Sequence, residues 1–203
     1  MNVHSLKIIS ALTVLAAIAA TLLQLVVFLT KPIIAENQAE YLRSAIYQTL
    51  PQTRVIQGYD FVGGKLEKTL SPQPEIFAAI NQQGKTTAYL IQMQGQGYQE
   101  LIKLLIAYDR TNQRLKGIKV LQSKETPGLG DRIITDRAFL SQFEDFELTQ
   151  TPLSLTKKGK GKGPSNIDGI TGATISSKAV VQIINLAARH YFPKFEQARG
   201  EQP

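Results

Sequence analysis

Neither cysteine nor tryptophan occurs among the 203 residues, and there are only two histidines. Without thiols the chain can form no disulfide and supplies no thiolate metal site or iron–sulfur ligand. Such a composition suits an extracytoplasmic domain that needs no bridges. His4 falls in the N-terminal tail and His190 near a helix end, so both read as solvated or capping residues rather than metal ligands. Acidic residues are also in deficit: 23 Lys and Arg against 16 Asp and Glu leave a net charge of +7. That surplus draws anions, whether phosphate cofactors, acidic lipids or acidic partner proteins. Nucleic acid is not expected as a partner, because no aromatics interleave with the basic residues.

Charge is missing altogether from Ile8 to Thr30, a run bracketed by Lys7 and Lys31. As a helix it measures ~34 Å at ~1.5 Å per residue, enough to cross a bilayer core. A secretory signal is the competing reading, since Ala17-Ile18-Ala19 resembles a cleavage site. Its apolar part, however, is normally only about 7–15 residues, and here the run continues through Leu25, Val26, Val27, Phe28 and Leu29. The expectation is a retained single-pass anchor over 8–30, behind a short cytoplasmic tail over 1–7. Lys7 on one side and Lys31 with Arg43 on the other leave its orientation undecided by charge. Gln24 is the one amide within it, open to a neighbouring helix or to lipid.

Pro32 is expected to end the anchor. Glu36 to Leu50 places Ala39, Leu42, Ala45, Ile46 and Leu50 on one face, which predicts a linking amphipathic helix within 31–50, stopped by Pro51. Strand-like runs follow at 54–62, 86–93, 101–107 and 115–121, the first ending at a Gly63-Gly64 turn. Asp109-Arg110-Thr111-Asn112 reads as the turn joining the last two strands. Strands without intervening helices predict an antiparallel sheet, and with the helices an α+β domain over 51–193. A short helix capped by Asp136 is expected up to Phe143. The glycine-lysine segment from Lys157 to Lys162 reads as an exposed loop, or as a lure for an anionic donor or acidic partner. Residues 194–203 read as a polar tail beyond a helix ended by Pro193.

The densest signal is Asp168-Gly169-Ile170-Thr171-Gly172-Ala173-Thr174-Ile175-Ser176-Ser177. Behind it, Ala179, Val180, Ile183, Ile184, Ala187 and Tyr191 repeat at helical spacing. Thr174 is expected as the N-cap, with Gly172 free for the unusual backbone angles of a tight entry. A helix N-terminus offers unpaired N–H groups and a positive dipole end, which together favour a phosphate. An ordinary cap beside a glycine turn is the alternative.

Three separated motifs, Gly95-Gln96-Gly97-Tyr98, Glu125-Thr126-Pro127-Gly128-Leu129-Gly130 and the Asp168–Thr174 segment, occur in order behind an anchor. In this the chain resembles the membrane-anchored FMN-binding family typified by the G subunit of the Rnf ion-translocating electron transport complex. The C subunit of the sodium-pumping NADH:quinone reductase is the family's close cousin. The resemblance implies FMN joined through its phosphate to Thr174 by a separate flavin transferase that uses FAD. It implies cofactor contacts from Thr171, Gly172, Ala173, Ile175, Ser176 and Ser177, with free Ser176 and Ser177 hydroxyls on the phosphate. It places Thr126 at the ring's polar edge, Leu129 on its face, and Gly130 where the backbone comes close. Glu125 is either a further contact or a neutraliser of Lys124 or Arg132. Asp168 is either part of the signal read by the transferase or a cap of its local turn.

The activity so implied is that of an electron-relay subunit in a ferredoxin:NAD oxidoreductase, with its soluble domain on the extracytoplasmic side of the inner membrane among other membrane subunits. It carries electrons and is not catalytic as an isolated chain. Rival readings are a C-type subunit of the sodium-pumping reductase, a tethered module binding a phosphorylated ligand non-covalently, and a scaffold with a vestigial motif.

Overall fold

The computed structural model describes residues 3–62, 65–71, 74–148, 152–157, 159–160 and 163–197. They fall into two compact units, Met1–Arg43 and Ser44–Pro203. Helix α1 spans Val3–Thr49, and Pro32 lies inside it. The expected break between anchor and linking helix is therefore corrected. Proline removes one N–H and so one intrahelical bond, and the residues after it, with Ala, Glu and Gln recurring, continue the helix on propensity. Thr13, Thr21 and Thr30 turn their hydroxyls back onto the carbonyls of Ile9, Ala17 and Val26 at 2.8–2.9 Å. Polar groups are thereby satisfied within the helix, as an apolar surrounding demands. α1 is long and apolar enough to cross a membrane, and its most apolar stretch is exposed throughout.

The second unit is built on one antiparallel sheet. Its strands are β1 (Val55–Val62), β2 (Lys65–Lys68), β3 (Ile76–Ile80), β4 (Thr86–Gln96), β5 (Leu101–Asp109), β6 (Arg114–Gln122) and β7 (Phe146–Glu147). They lie in the order β2-β1-β3-β4-β5-β6-β7. The β5–β6 turn closes as expected: the Asp109 carboxylate accepts from Thr111 N at 2.9 Å and Asn112 N at 3.2 Å. Between β6 and β7 come two single-turn helices, α2 (Arg132–Thr135) and α3 (Arg137–Leu140), and a 3-10 turn, Ser141–Phe143. Asp136 caps α3 by accepting from Phe139 N at 3.1 Å. A parallel pair, β8 (Ser154–Thr156) with β9 (Asn166–Asp168), then leads into α4, Thr174–Gln197. The fold is α+β. The Gly63-Gly64 turn and the 198–203 part of the tail lie outside the described residues, as do Lys158, Gly161 and Lys162 of the basic loop.

Both faces of the sheet are buried. One carries Ile76, Ala78, Tyr89, Ile91, Leu104, Ile106 and Tyr108 and shares a core with α4. Contact there is close: a Cβ on Gly95 would sit 2.6 Å from Ile183 Cγ1. Across the other face runs a row of paired residues, Gly58, Phe77, Leu90, Ala107 and Gly117. Beside it lie the alanines Ala79 and Ala88. Small side chains leave room there for a helix. Ala45 and Ile46, from the last turns of α1, are as deeply buried as this face, and Thr49 Cγ2 lies 3.3 Å from where a Gly117 Cβ would be.

Helix α4 runs past Pro193 to Gln197, which corrects the tail expected from Lys194 onward. Packing explains it. Phe195 is fully buried and stacks on Tyr89 at 4.9 Å between ring centroids; Tyr108 stacks on Phe192 at 4.0 Å. Burial of those rings outweighs the ~3 kcal/mol that an internal proline costs. Phe195→Ala is expected to destabilise the protein by ~3–5 kcal/mol, read from its denaturant midpoint.

Within the same cluster burial, reinforced by the Glu75 carboxylate it bonds, pushes the Tyr191 phenol up to about 12. The fold thus favours the neutral phenol. That contribution is complete below the ordinary value of 10.0 and is lost as pH rises to about 12. Alkaline titration should show a steeper loss of stability across this window in the parent chain than in Tyr191→Phe.

Candidate functional site

The entry to α4 is a tight turn over Ile170–Ala173, closed by Ala173 N onto Ile170 O at 3.0 Å. Gly172 occupies its third position with φ of 85°, a conformation that disfavours side chains. Ser177 N donates to Ala173 O at 2.9 Å. Ala173 is therefore the N-cap and Thr174 the first helical residue, one position inside the place the sequence suggested. The difference matters chemically. Alanine has no side-chain oxygen to occupy the amides of the first turn, and those of Thr174, Ile175 and Ser176 have no carbonyl one turn earlier within the helix. The helix end is open to an anion.

Thr171, Gly172, Thr174 and Ile175 are exposed, whereas Ser176 and Ser177 are buried and their hydroxyls are committed. Ser177 Oγ accepts from Ile170 N at 3.2 Å and donates to Ala173 O at 2.8 Å. Ser176 Oγ donates to Glu125 Oε2 at 2.5 Å. The expectation of free serine hydroxyls on a phosphate is corrected: both hold the turn in place, and of the two backbone amides only that of Ser176 is on offer, since Ser177 N bonds Ala173 O.

The loop from Glu125 to Asp131 is drawn against this turn. Glu125 is only 5% exposed. Its Oε1 accepts from Tyr98 N at 2.9 Å and Gln99 N at 3.1 Å, while Oε2 takes the Ser176 hydroxyl. The proposed neutralising role falls away, because Lys124 pairs with Glu100 at 2.8 Å and Arg132 with Asp136 at 3.0 Å. Two glycines make the space. A Cβ on Gly97 would lie 2.5 Å from Glu125 Oε1, and one on Gly130 would lie 2.7 Å from Oε2 and 2.9 Å from Ser176 Oγ. Thr126 Oγ1 accepts from Gln99 Nε2 at 2.9 Å. Leu129 reaches to 3.8 Å from a Cβ placed on Gly172. With Ile175 it leaves apolar surface in solvent around Thr174, at 53% and 55% exposure.

Asp168 sits below the turn. Its carboxylate accepts from Thr156 Oγ1 at 3.0 Å and Gly159 N at 2.9 Å, and its backbone N donates to Gln142 Oε1 at 2.7 Å. These contacts tie the end of β9 to β8, to the segment after it and to the 3-10 turn. Together with Arg132, Asp136, Gln142 and Thr171, Asp168 walls a cleft of about 230 Å³. Arg132 Nη1 donates to Thr171 O at 3.0 Å. Sequence reasoning named Arg132 only as a possible partner of Glu125 and did not single out Gln142; the Arg132–Asp136 spacing of four suits a pair on one helical turn.

An FMN-binding domain model matches residues 97–189, which contain the whole arrangement except Gly95 and Gln96 of the first motif. The chain is 32% identical over 181 residues to the G subunit of the ion-translocating oxidoreductase complex of Methanosarcina acetivorans, covering 89% of this chain and 91% of that one. It is 30% identical over 201 residues to the Aliivibrio fischeri G subunit, covering 92% and 90%. Among solved structures, the C subunit of the sodium-translocating NADH-quinone reductase of Parabacteroides distasonis has the same fold, with a TM-score of 0.61 at 20% identity over 87% of this chain and 97% of that one.

Gly130 and Gly128 should respond to alanine differently. Gly128 has φ of 75° with open space around it, so Gly128→Ala costs only backbone strain of ~1–2 kcal/mol. Gly130→Ala drives a methyl into the Glu125–Ser176 contact, with a cost of ~1–3 kcal/mol. It should also uncouple the loop from α4, seen as faster amide exchange at Tyr98 and Gln99 that Gly128→Ala does not produce.

Proposed function

The chain belongs to the G-subunit family of ion-translocating oxidoreductase complexes, and from that premise we propose that it is an electron-relay flavoprotein whose FMN is joined through its phosphate to Thr174. The observation that carries this reading is the exposed Thr174 on the first turn of a helix whose cap, Ala173, leaves the terminal amides open.

The residues suit the group. A phosphodiester on Thr174 keeps one negative charge at the positive end of α4, an arrangement worth ~0.3–1 kcal/mol at an exposed site. Thr174, Ile175 and Ser176 supply N–H donors for its oxygens. Leu129 and Ile175 supply apolar area for one face of a ring, and the half-buried Thr126 hydroxyl lies on the adjoining loop. Gly172 and Ala173 are small enough to leave Thr174 accessible to a transferring enzyme. FMN, when bound, supplies the redox chemistry at its ring; the protein contributes position and electrostatic surroundings. Because attachment is through the phosphate, the ring carries no covalent bond to the chain.

In this reading α1 anchors the subunit in the inner membrane with the second unit on the extracytoplasmic side. Its partners are the other membrane subunits of a ferredoxin:NAD oxidoreductase and a flavin transferase that uses FAD. The role is carriage of electrons within the complex, and the isolated chain turns over no substrate.

The test is the intact mass of the full chain purified from cells with an active flavin transferase. A gain of one FMN less one water, absent from Thr174→Ala, is expected. An unmodified parent chain, or a gain that survives in Thr174→Ala, overturns the attachment. A phosphorylated ligand lost on denaturation would instead favour non-covalent binding at the same helix end.

A further inference from the structure

We propose that Glu125 is a positioning residue for flavin attachment, its carboxylate acting through the Ser176 hydroxyl to hold the first turn of α4 so that Thr174 is presented to the donor. The inference rests on the reading of Thr174 as the attachment residue. In that reaction the Thr174 oxygen bonds to the FMN phosphorus of FAD, the pyrophosphate bond breaks, AMP leaves and the hydroxyl proton passes to a base of the transferase.

Several observations converge on Glu125. Its acceptor oxygens are filled by two backbone amides and one hydroxyl of the protein itself, so its role is to hold rather than to touch the cofactor. Ser176, the residue it grips, lies two positions from Thr174 in the same helical turn. Ala173 provides no side-chain cap, and an uncapped first turn frays. Two ties replace the cap. Ser177 binds the turn to its own approach through Ile170 N, and Ser176 binds it to a loop 51 residues away in sequence. The second fixes the helical turn itself to a distant segment, whereas Arg132 holds only the approach, through Thr171 O. The two glycines that crowd the carboxylate, Gly97 and Gly130, admit no side chain without moving it.

Geometry and charge can be separated. Glutamine reproduces the arrangement: its carbonyl accepts from Tyr98 N and Gln99 N, and its amide donates to a rotated Ser176 hydroxyl. Alanine at either 125 or 176 cannot. The experiment follows the initial rate of mass gain of the full chain with flavin transferase and FAD, alongside each variant's melting temperature. A misplacement of ~1 Å is worth on the order of 100-fold in such a step. Glu125→Ala and Ser176→Ala are expected to load at least about tenfold more slowly than the parent, and Glu125→Gln within about threefold of it. Phe195→Leu, at the far end of α4, serves as a lesion that lowers melting temperature without touching the turn and should load at the parent rate.

Parent-like loading by Ser176→Ala or Glu125→Ala overturns the proposal. Equal slowing by Phe195→Leu at a matched melting temperature reduces Glu125 to general stability, and equal slowing by Glu125→Gln shows that charge, not geometry, matters; either outcome also overturns it. A parent chain that gains no mass refutes the attachment at Thr174 instead.

Discussion

Removing a carboxylate from water is unfavourable unless protein donors replace the water, and Glu125 meets that requirement with donors from two other segments. One contact set therefore brings together the turn after β4, the loop after β6 and the first turn of α4. A buried acceptor left unpaired is more costly than the net gain of a typical hydrogen bond. The three segments are accordingly held in one arrangement, and the glycines beside the carboxylate are needed because any side chain there displaces it.

What this arrangement leaves at the surface is as informative as what it buries. Serine hydroxyls point inward and act as struts, while Thr174, Ile175, Thr171 and Leu129 remain outside. The helix end keeps its amides because its cap is alanine. A rigid frame around an open, reactive edge is what a site loaded by another enzyme requires, since the attacking group must be fixed and also reachable.

Some of this was legible in the sequence because it obeys local rules. The β5–β6 turn, the Asp136 cap and the positive φ at Gly172 each follow from residue types at fixed offsets. Other features depend on contacts distant in sequence and left no periodic trace. β3 reads Ile-Phe-Ala-Ala-Ile, a short apolar run without alternation because both faces of the sheet are covered. Glu125 stands in a Pro-Gly loop, where a charged residue normally faces water, and nothing nearby announces Ser176. Pro32 and Pro193 read as stops because a local rule says so; in both places the helix continued, α4 for the sake of buried aromatic rings. Thr174 against Ala173 was an error of one position, decided by which carbonyl Ser177 N chose.

The alanine- and glycine-lined face of the sheet limits how much of this protein can be removed by truncation. Ala45 and Ile46 precede the proline at position 51, where a sequence-based cut would be placed, yet they are among the most deeply buried residues of the second unit. Trimming to Pro51 would strip them away and leave small, flat, apolar surface in water, prone to self-association. A water-soluble form that keeps the sheet intact must begin at or before Ser44, carrying the final turns of the helix whose earlier part is the apolar span.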